Sequence, residues 1–220
     1  MMPITNLRTF ALDYLIQWCK VDRRFVSGLE LDTNKAERLE TLRDAADNYE
    51  VIRNFPNKRD AGARLEGALA ALDAIGRPEG DQAVISAVNE LAKALQSKYG
   101  GSKISAASKF LWFRYKSPVA IYDSRARASL RRGGGTFGDR DYGGYLKDWR
   151  RQFAESADAI RAACAELIRV RDFLADGMSE NEFIDTTSSR WFHERVFDKY
   201  LWWNGQRVKA QTATSGVGSV

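Results

Sequence analysis

Apolar residues recur three and four positions apart along most of the chain, and capping residues, glycines and prolines punctuate the runs. Leu7, Phe10, Ala11, Tyr14, Leu15 and Trp18 predict an amphipathic helix with one apolar stripe. Asp32-Thr33 predicts the cap of the next, which carries Ala36, Leu39, Leu42, Ala46 and Val51 and ends before Phe55-Pro56-Asn57. Alanine-rich Arg59 to Ile75 predicts a third helix, stopped by Gly76-Arg77-Pro78-Glu79-Gly80. Asp81 opens a fourth, with Val84, Ile85, Val88, Leu91, Ala92 and Leu95 on one face and Gly100-Gly101 as its stop.

The second half is helical too, but richer in aromatics. Ile104 to Tyr115 is apolar on two faces, which predicts a short and mostly buried helix. Pro118 ends it, because the residue before a proline avoids the helical region. Ser124 to Leu130 predicts another short helix, and Gly133 to Gly144 a flexible, basic loop. Tyr145 to Leu174 reads as one long helix with Trp149, Phe153, Ala157, Ile160, Cys164, Leu167 and Ile168 as its stripe. Ser188 or Ser189 caps a last helix containing Trp191, Phe192, Val196, Phe197, Tyr200 and Leu201. No alternating strand pattern and no internal repeat is present. The expected fold class is all-α: one multi-helix domain over 1–208, with lobes 1–97 and 98–208, and a disordered Ala/Thr/Ser/Gly-rich tail over 209–220.

Composition narrows the chemistry. A chain of 220 residues can bury a substantial core. Its apolar runs are too short for a bilayer, and Met1-Met2-Pro3-Ile4 shows no signal-peptide pattern, so a soluble, cytoplasmic protein without a membrane partner is expected. Cys19 and Cys164 each sit in an apolar helical pattern and read as buried hydrophobes. With His193 as the only histidine, neither a metal site nor a cofactor is expected. The charge is unevenly placed: Lys98 to Arg151 holds 13 Lys and Arg against 4 acids, within a chain of net charge +5. That asymmetry favours a polyanion, nucleic acid before membrane.

The basic quarter also holds the most informative residues. Lys103 follows Gly100-Gly101-Ser102 at the start of a helix, where glycines let the chain bend and leave amide groups for a phosphate oxygen. A cation at a helix N-terminus is mismatched with the dipole, which predicts a lowered pKa and a more nucleophilic amine. Asp123 is the converse: a carboxylate capping the helix from Ser124 stays ionised and fixed in direction. Lys109, six residues beyond Lys103, is a second amine, set on a very apolar helix where burial would lower its pKa too.

At these residues the chain resembles the helix-hairpin-helix DNA glycosylase superfamily, in particular its 8-oxoguanine DNA glycosylase-like members. Gly101-Ser102-Lys103 resembles the hairpin turn and catalytic lysine, and Pro118-Val119-Ala120-Ile121-Tyr122-Asp123 resembles the aspartate segment. The resemblance covers roughly 95–130, and the lysine–aspartate separation suits the family. It implies a two-lobed all-α fold, double-stranded and damaged DNA as the partner, Lys103 or Lys109 as nucleophile on the sugar C1′ of an extruded nucleotide, and Asp123 as the assisting acid. The family's iron–sulfur cysteine cluster is absent here, so the resemblance is to a cluster-free member.

Around that pair, Arg125, Arg127, Arg131 and Arg132 are candidate phosphate contacts with Gly100, Gly101 and Ser102. Trp112, Trp202 and Trp203 are candidate stacking surfaces for a base. His193 shows no triad partner, and Glu194 and Asp198 read as ion-pair acids. The same residues also suit a non-catalytic nucleic-acid-binding module. A third reading is a regulator or defence protein whose basic quarter docks an acidic protein partner.

Overall fold

The computed structural model describes residues 6–55, 64–174 and 177–215; their regular elements are helices, with no strand among them. No helix among the described residues is long and apolar enough to cross a membrane. The chain forms two compact units, one made of Met1–Cys19 with Tyr122–Val220 and the other of Lys20–Ile121. The division therefore falls at other points than the 97/98 lobe boundary expected from sequence, because both ends of the chain enter the same unit.

The unit of Lys20–Ile121 contains α2 (Arg23–Gly28), α3 (Lys35–Asn48), a 3-10 turn (Ile52–Asn54), α4 (Glu66–Asp73), α5 (Gly80–Tyr99) and α6 (Ile104–Tyr115). Asn34, not Asp32-Thr33, caps α3: its side chain accepts the Glu37 N–H at 2.9 Å and donates to the Glu37 carboxylate at 3.1 Å. The helix expected from Arg59 is observed from Glu66; its first part, 56–63, lies outside the described residues. In α5, Val84, Val88, Leu91 and Leu95 form the buried face. Every residue of α6 from Ala106 to Phe113 is buried, as its two apolar faces predict. Asp73 ties α3 and α6 to the end of α4, one oxygen accepting from Arg38 at 2.8 Å and from the buried Arg114 at 2.6 Å.

The other unit is built from α1 (Leu7–Gln17), α7 (Ser124–Arg132), α8 (Tyr142–Ala165), a 3-10 stretch (Glu166–Val170), α9 (Arg171–Leu174), α10 (Glu180–Ser188) and α11 (Arg190–Ser215). A π-helical turn, Trp18–Asp22, carries the chain out of α1. Its core gathers Tyr14, Trp149, Phe192, Val196 and Leu201, all fully buried, from α1, α8 and α11. The long helix expected over Tyr145 to Leu174 is interrupted by the 3-10 stretch, and Ile168 is exposed, not part of the stripe. It also starts earlier than expected. Asp141 caps it by accepting the Gly144 N–H at 2.9 Å, so two glycines assigned to the loop lie in its first turn. The last helix runs to Ser215, into the segment whose composition predicts disorder; 216–220 lie outside the described residues.

Helices α7 and α11 pack against each other with their backbones unusually close. A Cβ placed on Gly205 would lie 2.0 Å from the Arg125 carbonyl oxygen, so only glycine admits the approach.

Candidate functional site

The turn between α5 and α6 is short and sharp. Gly100 and Gly101 both adopt positive φ, 69° and 62°, conformations that glycine takes without strain. Gly100, Gly101 and Ser102 are exposed, whereas the Lys103 side chain folds inward and keeps only 5% of its surface accessible. Its amine donates to the Gly100 carbonyl at the end of α5 and lies 5.8 Å above the Phe55 ring. Burial pushes the Lys103 pKa below the ordinary lysine value. The lowering expected from sequence is therefore present, but its cause is desolvation: the amine turns back toward the C-terminal end of α5, which attracts a cation.

Lys109 has a different setting. It lies mid-helix in α6, with Nζ 3.4 Å from the Tyr49 carbonyl and 5.9 Å from the centre of its ring. Tyr49 in turn donates its hydroxyl to both oxygens of the fully buried Asp22, at 2.8 and 2.9 Å. Because Tyr49 follows the last turn of α3, the ammonium also lies at the negative end of that helix. Lys109 is thus built into the interior of its unit. Trp112 is fully buried and packs edge-on to Phe113, with ring centres 5.4 Å apart, so it presents no face to a base, contrary to its place among the stacking candidates.

Asp123 belongs to the other unit, where it caps α7 as the sequence predicts, Oδ1 accepting the Arg125 N–H at 2.8 Å. The four α7 arginines differ in their surroundings. Arg125 lays its guanidinium over Trp202, 4.2 Å from the ring centre, and Trp202 is 42% exposed. Arg132 reaches Asn204 at 3.3 Å, which itself donates to Ser129 at 2.9 Å. Arg132, Ser129 and Asn204 line a groove of about 400 Å³ that also touches Gln152, Glu155 and Tyr200. Among the described residues neither Arg125 nor Arg132 pairs with a carboxylate. Arg127 and Arg131 do: both converge on one oxygen of Asp139, at 2.8 and 2.7 Å. Trp203 is half-buried and meets Phe10 edge-on at 5.5 Å, so Trp202 is the most exposed of the stacking candidates.

The glycine-rich segment after α7 is pinned by its own contacts. Phe137 is buried against Tyr145, the Thr136 N–H reaches Asp148 at 3.0 Å, and the Arg140 N–H reaches the Tyr122 hydroxyl at 2.9 Å. Nothing in the composition of the loop predicts the Asp139 pairing, because it depends on where Asp139 falls after the chain has turned. Arg127 and Arg131, one helical turn apart on α7, were the only local signal.

The aromatic stretch of α11 is core. Phe192, Val196 and Phe197 are buried, and Glu194 and Asp198 are buried ion-pair acids, as expected from the sequence. Glu194 accepts from Arg150 at 2.7 Å and from Arg190 at 3.0 Å. Asp198 accepts from Trp149 Nε1 at 2.8 Å and from Arg195 at 2.9 Å, yet burial raises its pKa to about 6. The His193 ring meets the Thr187 carbonyl at 3.0 Å, and burial lowers its pKa. Cys19 and Cys164 are both free thiols, and burial pushes Cys164 up to about 12.

No protein-family model, curated protein or solved structure matches this chain.

Proposed function

We propose that the protein binds DNA and performs base-excision chemistry of the lyase type, with Lys103 supplying the amine; the assisting role of Asp123 comes from the resemblance over Pro118 to Asp123. The observation that carries this reading is the Lys103 amine itself, desolvated, lowered in pKa and set directly behind an exposed turn of two positive-φ glycines. A neutral amine can add its lone pair to the sugar C1′ as the C1′–base bond breaks and the base departs with that electron pair and a proton. Loss of the remaining amine proton with cleavage of the C1′–O4′ bond gives an imine, and removal of a C2′ proton then expels the 3′ phosphate oxygen. Lys103 is preferred to Lys109 because it directly follows the exposed glycine turn, whereas Lys109 lies mid-helix in α6 against the Tyr49 carbonyl. Asp123 is supported separately, as a carboxylate fixed by a backbone N–H at the head of an arginine-bearing helix.

Borohydride trapping on abasic and base-damaged duplexes tests the reading. A covalent adduct is expected with wild type and with Lys109→Met, and none with Lys103→Ala. Loss of the adduct in Lys109→Met alone, in a folded protein, would reverse the assignment. A second reading, DNA binding without chemistry, is favoured by the bond from the Lys103 amine to Gly100, a structural use of the same lysine as a helix cap. Under that reading no lesion yields an adduct, binding weakens with salt and with Arg125→Ala or Arg132→Ala, and Asp123→Asn leaves affinity unchanged.

A further inference from the structure

We propose that Arg127 and Arg131 form a preorganised site for a backbone phosphate of nucleic acid, and that Asp139 occupies it until DNA displaces the carboxylate. The inference rests on the DNA-binding reading above. Two guanidiniums one turn apart on α7 point at a single oxygen, from 2.8 and 2.7 Å, which is the arrangement a phosphate oxygen requires. Each is also held from below by an aromatic face: Arg127 lies 5.0 Å from the centre of Tyr122 and Arg131 5.1 Å from that of Phe137. Their positions therefore do not depend on Asp139.

The occupant, by contrast, is easily removed. The Asp139 side chain is 74% exposed, and exposed ion pairs are weak because water and salt screen them. It is ionised, because the hydrogen bond from Arg131, then the charges of Arg131 and Arg127, hold its carboxyl below the ordinary range. Nor does the loop need it. Phe137 is buried against Tyr145, the Arg140 N–H is bonded to Tyr122, and Thr136 to Asp148, so the carboxylate can swing into solvent with the loop still held. A membrane headgroup offers the same oxygen chemistry, but no apolar anchor accompanies these arginines on α7, where Arg125 and Arg132 extend the basic surface along the same helix.

The test is fluorescence-anisotropy titration of a duplex oligonucleotide over a range of salt concentrations, comparing wild type with Asp139→Asn and Asp139→Ala. Both variants should bind roughly three- to tenfold more tightly near 0.1 M salt, with a salt slope steeper by about one released counterion. Adding Arg127→Ala and Arg131→Ala to Asp139→Asn should erase the gain. The melting temperature of Asp139→Asn should stay close to that of wild type. If wild type binds DNA but Asp139→Asn binds within twofold of it, this inference falls and the DNA reading stands. A gain that survives removal of both arginines also overturns it, since the effect would then be general charge. Tighter binding of inorganic phosphate without tighter binding of DNA counts against it as well. If neither wild type nor variant binds DNA, the parent reading falls with it.

Discussion

Glycine-to-alanine replacement at Gly205 separates tertiary packing from helix propensity, because the two predict opposite signs. Gly205 lies inside α11, where alanine is ordinarily favoured by about 1 kcal/mol. Its new Cβ, however, would stand 2.0, 2.6 and 2.8 Å from the O, C and Cα of Arg125. Those are backbone atoms of the first turn of α7, so relief requires the two helices to part by about 1–1.5 Å, given carbon contacts that are optimal near 3.5–4.0 Å. Overpacking of this kind costs about 1–3 kcal/mol, and a contact with backbone belongs at the upper end. After the propensity gain, a net loss of about 2 kcal/mol remains, or about 4–8 °C in Tm for a chain of this size.

Gly67 supplies the control. Its Cβ would meet only the outer atoms of Lys98, at 2.1–2.4 Å, and that exposed side chain can move aside. Gly67→Ala should therefore stabilise by about 0.5 kcal/mol, through reduced freedom of the unfolded chain. Thermal and urea unfolding of the two variants, beside wild type, measure both signs. A neutral or stabilised Gly205→Ala would refute the close approach of α7 to α11, and with it the seat described for Asp123 and its arginines.

Other expectations follow from the same structure. Asp123→Ala should lose about 1 kcal/mol with the α7 cap whereas Asp123→Asn should retain it, so a fall of at least about tenfold in adduct formation by Asp123→Asn alone would separate chemistry from capping; equal rates in Asn and wild type would remove the carboxylate from the mechanism. Asp73→Ala leaves the buried Arg114 without its anion and should cost about 3 kcal/mol in urea unfolding; a loss no larger than that of an ordinary surface substitution would count against the pairing. Burial raises the Asp198 pKa from 3.8 to about 6, so the folded state holds this proton more tightly than the unfolded chain. Its charged form is then a cost present in full above pH 6, about 3 kcal/mol, that fades as pH falls toward 4. Asp198→Asn should flatten that part of the stability–pH curve, and an unchanged curve would contradict the burial argument.

The local elements were largely legible because local rules set them. Helices over Leu7–Gln17, Gly80–Tyr99, Ile104–Tyr115 and Ser124–Arg132 follow from apolar spacing, capping residues and glycine stops. Helix α10 carries a local mark as well: Ser179 three residues before Glu182 is a capping-box pattern, and Ser179 accepts the Glu182 N–H at 3.2 Å. Helix α2 offered no such mark, since it continues from a π-helical turn whose Asp22 is buried and bonded to Tyr49. The grouping into units was not legible at all. Helix α1 packs on α8 and α11, and no periodicity reports a pairing between opposite ends of a chain. At the candidate site the same division holds: the glycine turn and the Asp123 cap are local and were read, whereas the folding-back of Lys103 and the placement of Asp139 are tertiary.

That division also bears on the electrostatics behind the DNA reading. Between Lys98 and Arg151 the chain has 13 Lys and Arg against 4 acids, but a polyanion meets the surface field, not the sequence count. In one unit Lys103 and Lys109 turn inward, and Arg114 is buried on Asp73, an acid from outside the segment. In the other, Arg150 is tied to the buried Glu194, and Arg151 to Asp148 and Glu155. Paired, buried cations return little net attraction and project little field toward a ligand. On α7, by contrast, Arg125 and Arg132 pair with no carboxylate among the described residues, and Arg127 and Arg131 share a single exposed one. The basic quarter of the sequence therefore overstates the basic surface. The proposed phosphate site rests on the arginine-bearing face of α7, a helix capped by Asp123 and packed on Gly205.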